Sequence, residues 1–199
     1  MSSTLAQVKS PLHRLAANAG LFRVNLAAVA LANLLLWASA KVQVPFWPVP
    51  ITMQTYVVLT ASALLGWRLG ALTVAAYLAE GAMGLPVFAG TPANGLGLAY
   101  LVGPTGGYLV GYLVAAVLVG LTLEKLRKHS LLGTAAALVI GEAAILGLGC
   151  CWLAEHFGWA KALAFGFGPF LAGDGLKVVL AIGTVTYSRR FWDQIASTD

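Results

Sequence analysis

The chain has 199 residues, 59% hydrophobic and only 10% charged, with a mean hydropathy of +0.84 and a formal net charge of +5. Soluble domains carry about 25% charged residues, so this composition excludes an ordinary soluble globule and points to one integral membrane domain, 1–199, with the lipid bilayer as its solvent. The excess of positive charge is not a nucleic-acid footprint, because no basic cluster with interleaved aromatics accompanies it.

In chain order, residues 1–20 carry Lys9, His13 and Arg14 but no apolar core. They read as a short amphipathic cytoplasmic approach and not as a cleavable signal peptide. Long apolar stretches then predict six membrane helices: 20–42, 51–66, 69–84, 104–126, 131–155 and 169–189. Before the second, Pro45, Pro48 and Pro50 forbid helix interior, so the chain is expected to run extended. The second and third helices are about 16 residues each, short of the ~20 that usually span hydrocarbon, and are expected to be tilted or buried in the bundle. Their junction, Gly66-Trp67-Arg68-Leu69-Gly70, reads as a tight turn. Between Leu85 and Gly103 the chain is too apolar for a solvated loop and too rich in glycine and proline for a helix, which suggests a lid folded over the bundle mouth. The adjacent Cys150 and Cys151 suit neither a disulfide nor a metal site and read as small apolar residues.

Placing both termini in the cytoplasm puts Lys9, Arg14, Arg23, Arg68, Lys125, Arg127, Lys128, Arg189 and Arg190 inside and only Lys41 and Lys161 outside, which agrees with the positive-inside rule. The lid and the start of the last helix then face outward. Small residues recur at four-residue spacing in Ala28/Ala32, Ala71/Ala75/Ala79, Gly107/Gly111 and Ala116/Gly120. Most should let neighbouring helices approach, and at least one set is open to a partner subunit.

The sharpest functional signal is Asp174 with Lys177 in an otherwise apolar segment. An intramembrane ionisable residue costs about 2.5–3.5 kcal/mol on insertion scales. At i, i+3 the two side chains share a helix face. A self-satisfied structural pair is the plain alternative. Pro169 suits a helix's first turn, so the pair is expected near a positive helix end that favours anions. Asn94 and Tyr100 in the lid, with Thr52 and Gln54 at the start of the second helix, would add polar groups to the same mouth, although asparagine is also a common turn former. Glu80 and Glu142 interrupt apolar helices, and proton-site, packing and partner roles are all open for each. Catalysis has no visible machinery: His13, His129 and His156 lie at membrane edges, and no metal-ligand cluster, P-loop or dinucleotide fingerprint occurs.

Four blocks in order then carry a family resemblance: Pro48-Val49-Pro50-Ile51-Thr52-Met53-Gln54-Thr55, Gly84-Leu85-Pro86-Val87-Phe88-Ala89-Gly90, Gly103-Pro104-Thr105-Gly106-Gly107-Tyr108, and Pro169 to Lys177. The chain resembles the biotin-specific substrate-binding component (BioY) of energy-coupling factor transporters. The resemblance implies an all-α, six-helix protein of a bacterial or archaeal plasma membrane that captures biotin from outside and has no cofactor of its own. It implies a separate transmembrane coupling subunit and ABC-type ATPases as partners. It also implies that Asn94, Tyr100, Asp174 and Lys177 contact biotin, and that Ala28 and Ala32 dock the coupling subunit. Asp174 and Asn94 would bond the ureido group and Tyr100 would cover the rings. For Lys177, neutralising the ligand carboxylate and holding Asp174 ionised both remain open. The rival reading is a self-sufficient proton-coupled carrier of a small organic anion.

Overall fold

In a computed structural model of the chain, residues 11–126 and 130–196 are described. The inward placement of Lys9, Arg127 and Lys128 lies outside the described residues, as does the Arg14 side chain. The order is α1 (Pro11–Lys41), a two-stranded ribbon of β1 (Gln43–Val44) and β2 (Ile51–Thr52), α2 (Gln54–Ala82), α3 (Leu98–Leu101), α4 (Gly106–Lys125), α5 (Leu131–Phe157), α6 (Trp159–Ala162), a π-helical turn (Leu163–Phe167) and α7 (Gly168–Ala196). The first helix starts well before residue 20, with Pro11 at its first turn, where a missing N–H costs nothing. The prolines lie in the loop of the ribbon, which pairs Gln43 with Thr52 and Val44 with Ile51.

Within its bounds α2 is two helices. Gly66, at φ 79° and ψ 171°, lies outside helical geometry and divides it into arms 54–65 and 67–82. The arms fold back antiparallel. Gly70 meets the Ser62 backbone near the turn, and Gln54 Nε2 donates to Tyr77 Oη at the far end. With α1, α4, α5 and α7, the two arms make six spans, as the apolar runs predict.

All connections place Lys41, the lid and Lys161 at one end of the bundle, the upper end. Arg23, Arg68, Lys125, Arg189 and Arg190 lie at or toward the other. The central element is α4, packed between the α2 hairpin and α5. A Cβ on Gly107 would collide with Trp152, one on Gly111 would press the Ile145 backbone, and one on Gly120 would strike the Trp67 backbone. These glycines are therefore internal packing contacts. By contrast Ala75 and Ala79 face outward. The fifth span begins at Ser130, whose Oγ accepts from Gly133 N at 3.0 Å, and ends at Gly158 with φ 83°.

The last span departs from expectation. Pro169 does not open a free helix, because helical structure continues through α6, the π turn and α7 from Trp159 to Phe191. Proline lacks the N–H that a regular helix would use and its ring crowds the preceding turn. The widened π turn lies directly before it and absorbs that defect. Phe170, Asp174, Lys177, Val178, Ala181 and Val185 are buried along one face of α7, while Leu171, Leu176, Val179 and Leu180 face outward.

Because backbone at φ 79° and ψ 171° is open essentially to glycine alone and costs a residue with a Cβ about 1–3 kcal/mol, Gly66→Ala is expected to lower the thermal unfolding midpoint in detergent. Its Cβ would also stand 2.9 Å from Glu124 Oε1. An unchanged midpoint would show that the turn relaxes freely.

Candidate functional site

Two cavities stack at the upper end. The inner one holds about 30 Å3, room for a water or two. It is walled by Thr52, Gln54, Thr55, Tyr108, Tyr112, Phe170, Asp174 and Lys177, with Tyr100, Pro50 and Thr105 above. The outer one, about 550 Å3, is lined by Trp47, Pro48, Asn94, Gly103, Pro104 and Phe157 and shares Pro50, Tyr100 and Thr105 with the first. Those shared residues form the partition between them.

At the inner floor Lys177 Nζ donates to Asp174 Oδ1 at 2.6 Å, and both residues are buried. Asp174 Oδ2 and Thr55 Oγ1 are buried without a hydrogen-bond partner. Such groups are costly unless something satisfies them. The expectation of a positive helix end is corrected here. Since the helix continues upward to Trp159, Asp174 sits in a helix interior and its positive partner is the neighbouring Lys177.

Several side-chain contacts hold the lid, residues 83–105. Tyr77 Oη, which accepts from Gln54 Nε2 at 2.6 Å, donates to Val87 O at 3.0 Å. Tyr100 Oη donates to Ala89 O at 2.8 Å. Desolvation pushes the Tyr100 phenol above its ordinary pKa, against a smaller opposing effect of a Thr105 hydrogen bond, so its proton stays in place as a donor. Phe88 stacks on Tyr100 at 4.8 Å, meets Tyr77 edge-on at 5.4 Å, and fills the notch left by the missing side chain of Gly81. Lys41 closes the set from α1, donating to Pro86 O at 2.7 Å, Phe88 O at 2.9 Å and Thr91 Oγ1 at 3.1 Å.

Of the residues singled out in the sequence, Thr52, Gln54, Tyr100, Asp174 and Lys177 meet at one cavity. Asn94 does not join them: it is exposed and lines the outer cavity only, with its side chain turned toward Gly90. Ala28 and Ala32 line a separate apolar groove of about 330 Å3 between α1 and arm 54–65, with Leu31, Leu35, Tyr56 and Leu64. Glu80 and Glu142 part company. Glu80 accepts from Asn33 Nδ2 at 3.1 Å and ties α1 to arm 67–82, while Glu142 is buried.

Sequence reasoning missed Tyr77, Phe88, Tyr108, Tyr112 and Phe170. The i, i+4 spacing of Tyr108 and Tyr112 beside Gly107 and Gly111 was an available signal, since it places both rings on one glycine-flanked face. Tyr108 Oη donates to Gly166 O at 2.6 Å and its ring stacks on Phe170 at 5.7 Å, which fixes the wall next to Asp174. The assembled site offers a carboxylate, an ammonium, an amide, several hydroxyls and a sleeve of aromatic rings. That set suits a small ligand with both hydrogen-bond donors and a negative charge on an apolar body.

The model of the BioY family matches residues 10–194. The probable biotin transporter BioY of Pyrococcus horikoshii is 36% identical over 77% of this chain and 89% of its own length. The biotin transporter BioY of Thermotoga maritima is 40% identical over 74% of this chain and 85% of its own length. Among solved structures, the S-component for biotin from an ECF-type ABC transporter superposes with a TM-score of 0.77 at 27% identity, covering 86% of this chain and 93% of that one.

Since Lys41 supplies three donor contacts to the lid, Lys41→Met is expected to speed amide hydrogen exchange across 86–91 roughly tenfold or more. Hydrogen–deuterium exchange read by mass spectrometry checks this. Unchanged exchange would show that Phe88 packing and the Tyr77 and Tyr100 hydrogen bonds secure the segment without Lys41.

Proposed function

The chain belongs to the BioY family, and on that premise we propose that it captures biotin as the substrate-specific subunit of an energy-coupling factor transporter. The observation that carries the site assignment is the inner cavity floor, where the Asp174–Lys177 pair leaves Asp174 Oδ2 unsatisfied beneath a roof of aromatic side chains. Biotin presents two N–H donors and one acceptor on a ureido group, a compact apolar bicycle and a chain ending in a carboxylate. Asp174 Oδ2 accepts a ureido N–H in a charge-assisted bond, roughly twice as strong as a neutral one. Gln54, Thr52 and Thr55 offer partners to the remaining ureido atoms, and Tyr108, Phe170 and Tyr100 cover the rings. Asn94, from its place in the outer cavity, reaches the ligand only if the lid resettles around it.

A cavity of about 30 Å3 admits water but not the bicycle. Entry therefore runs from the outer cavity past Tyr100, and the lid closes again over the bound molecule. The upper end faces outward, because Arg23, Arg68, Lys125, Arg189 and Arg190 gather toward the opposite end. Both termini are then cytoplasmic in a bacterial or archaeal plasma membrane. The groove containing Ala28 and Ala32 receives the transmembrane coupling subunit, and associated ABC-type ATPases supply the energy. What supports this is its apolar lining and its place between α1 and the hairpin, away from the biotin pocket.

Replacing Asp174 by Asn removes the charge from the ureido contact and unbalances Lys177. Calorimetric titration of the detergent-purified protein should show biotin binding weakened about 10–100-fold in Asp174→Asn, with biotin methyl ester compared to test whether Lys177 serves the carboxylate. Unchanged affinity in folded Asp174→Asn would remove the site assignment. Absence of biotin binding by the folded parent protein would remove the substrate.

A further inference from the structure

Glu142 has no part in the reading above, yet it is only 6% exposed and neither of its carboxyl oxygens has a hydrogen-bond partner. It projects from α5, a span with no other acidic or basic residue between Leu131 and Leu153. On α7, Asp174 Oδ1 is committed to Lys177 while Oδ2 has no partner. Glu142 interacts electrostatically with both Asp174 and Lys177. From α4, Tyr108 and Tyr112 line the inner cavity with Asp174, and Tyr112 interacts electrostatically with Asp174, Glu142 and Tyr77. Arm 54–65 contributes Gln54 and Thr55, which do not titrate.

Charge balance decides how these groups can coexist. Two ionised carboxylates against one ammonium would leave an uncompensated negative charge in an apolar interior, and two carboxylates sharing one site do not readily ionise together. An ionised pair would also leave both sets of buried oxygens as acceptors facing each other with no donor between them. A single proton resolves both conflicts.

We propose that Glu142 holds that proton and donates it in a hydrogen bond to Asp174 Oδ2, so that Glu142, Asp174 and Lys177 form a neutral buried triad in which Glu142 is a positioning residue. An ionised carboxylate oxygen has two lone-pair sites: one on Oδ2 takes the Glu142 O–H, and the other stays directed to the ligand. Lys177 and Glu142 thus grip the Asp174 carboxylate from both oxygens and fix its plane. The part of this that concerns biotin rests on the proposed function; the protonation of Glu142 does not.

Infrared spectra of the purified protein near neutral pH test the proton directly. The carbonyl stretch of a protonated carboxylic acid should be present in the parent and missing in Glu142→Gln. A parent spectrum without that band, or a band that survives in Glu142→Gln, overturns the proposal. Should Glu142→Gln fail to fold, Glu142→Asp must shift the band, and an unshifted band is equally fatal. Positioning is read from biotin titrations across pH. Glu142→Gln, which keeps a neutral donor, should bind within about threefold of the parent and without the parent's loss of affinity at alkaline pH, whereas Glu142→Leu should bind about tenfold or more weakly. Equal affinities and parallel pH profiles in all three would exclude a positioning role. The infrared band together with no biotin binding by any form would uphold the proton assignment and reject the transport reading instead.

Discussion

A carboxylate and an ammonium 2.6 Å apart in an apolar bundle set the condition that the surrounding structure has to meet. Ions at that depth survive only when each is paired and the remaining lone pairs are directed at something useful. The pair is held on one buried face of α7, and that face exists because the π turn lets helical structure run through Pro169 without breaking. Around it the chain supplies rings in place of water: Tyr108 on Phe170, then Tyr100 on Phe88 above. The glycines of α4 bring α5 close enough for those walls to be continuous. Site and fold are therefore one problem in this molecule, since loosening the packing would expose the ions.

The spans were legible because membrane helices announce themselves by what they exclude. Long apolar stretches with few charges gave six of them, and the Gly66-Trp67-Arg68 junction gave the hairpin that divides α2. The lid was legible for the complementary reason, being apolar without helical sequence. Pro169 misled because proline's preference for a first turn is a local rule, whereas a π turn can accommodate it within a longer helix. Asn94 joined the site as a polar lid residue and again on resemblance, but its place relative to Asp174 depends on how the lid is folded, which no local signal encodes. Tyr77 and Phe88 escaped notice for a related reason. Their importance lies in a link from Gln54 through Tyr77 to Val87 that exists only once the hairpin has closed.

Polar residues at membrane depth turn out to have separate employments. Glu80 is spent on Asn33 and fastens α1 to the hairpin. Lys41 is spent on three lid oxygens at the upper boundary. Glu142 is buried within electrostatic reach of Asp174 and Lys177. The same residue types thus serve tethering, latching and recognition according to depth and neighbour, and composition alone cannot assign them. Burial and the list of available partners can.

The short first arm of α2 has a consequence for the lipid as well as for the protein. At 1.5 Å per residue, residues 54–65 rise only about 18 Å, against a hydrocarbon layer of about 30 Å. That shortfall is at the upper end, because Gln54 starts at the inner cavity while Gly66 lies against Glu124 at the far end of the 20-residue α4, where Glu124 and Arg189 line a polar recess of about 450 Å3. Arg68, stacked 4.8 Å over the Trp67 ring, suits the lower headgroup boundary. The depth that the arm leaves open is filled by the ribbon and the lid, non-helical backbone that a bilayer tolerates because it is packed on protein around a cavity.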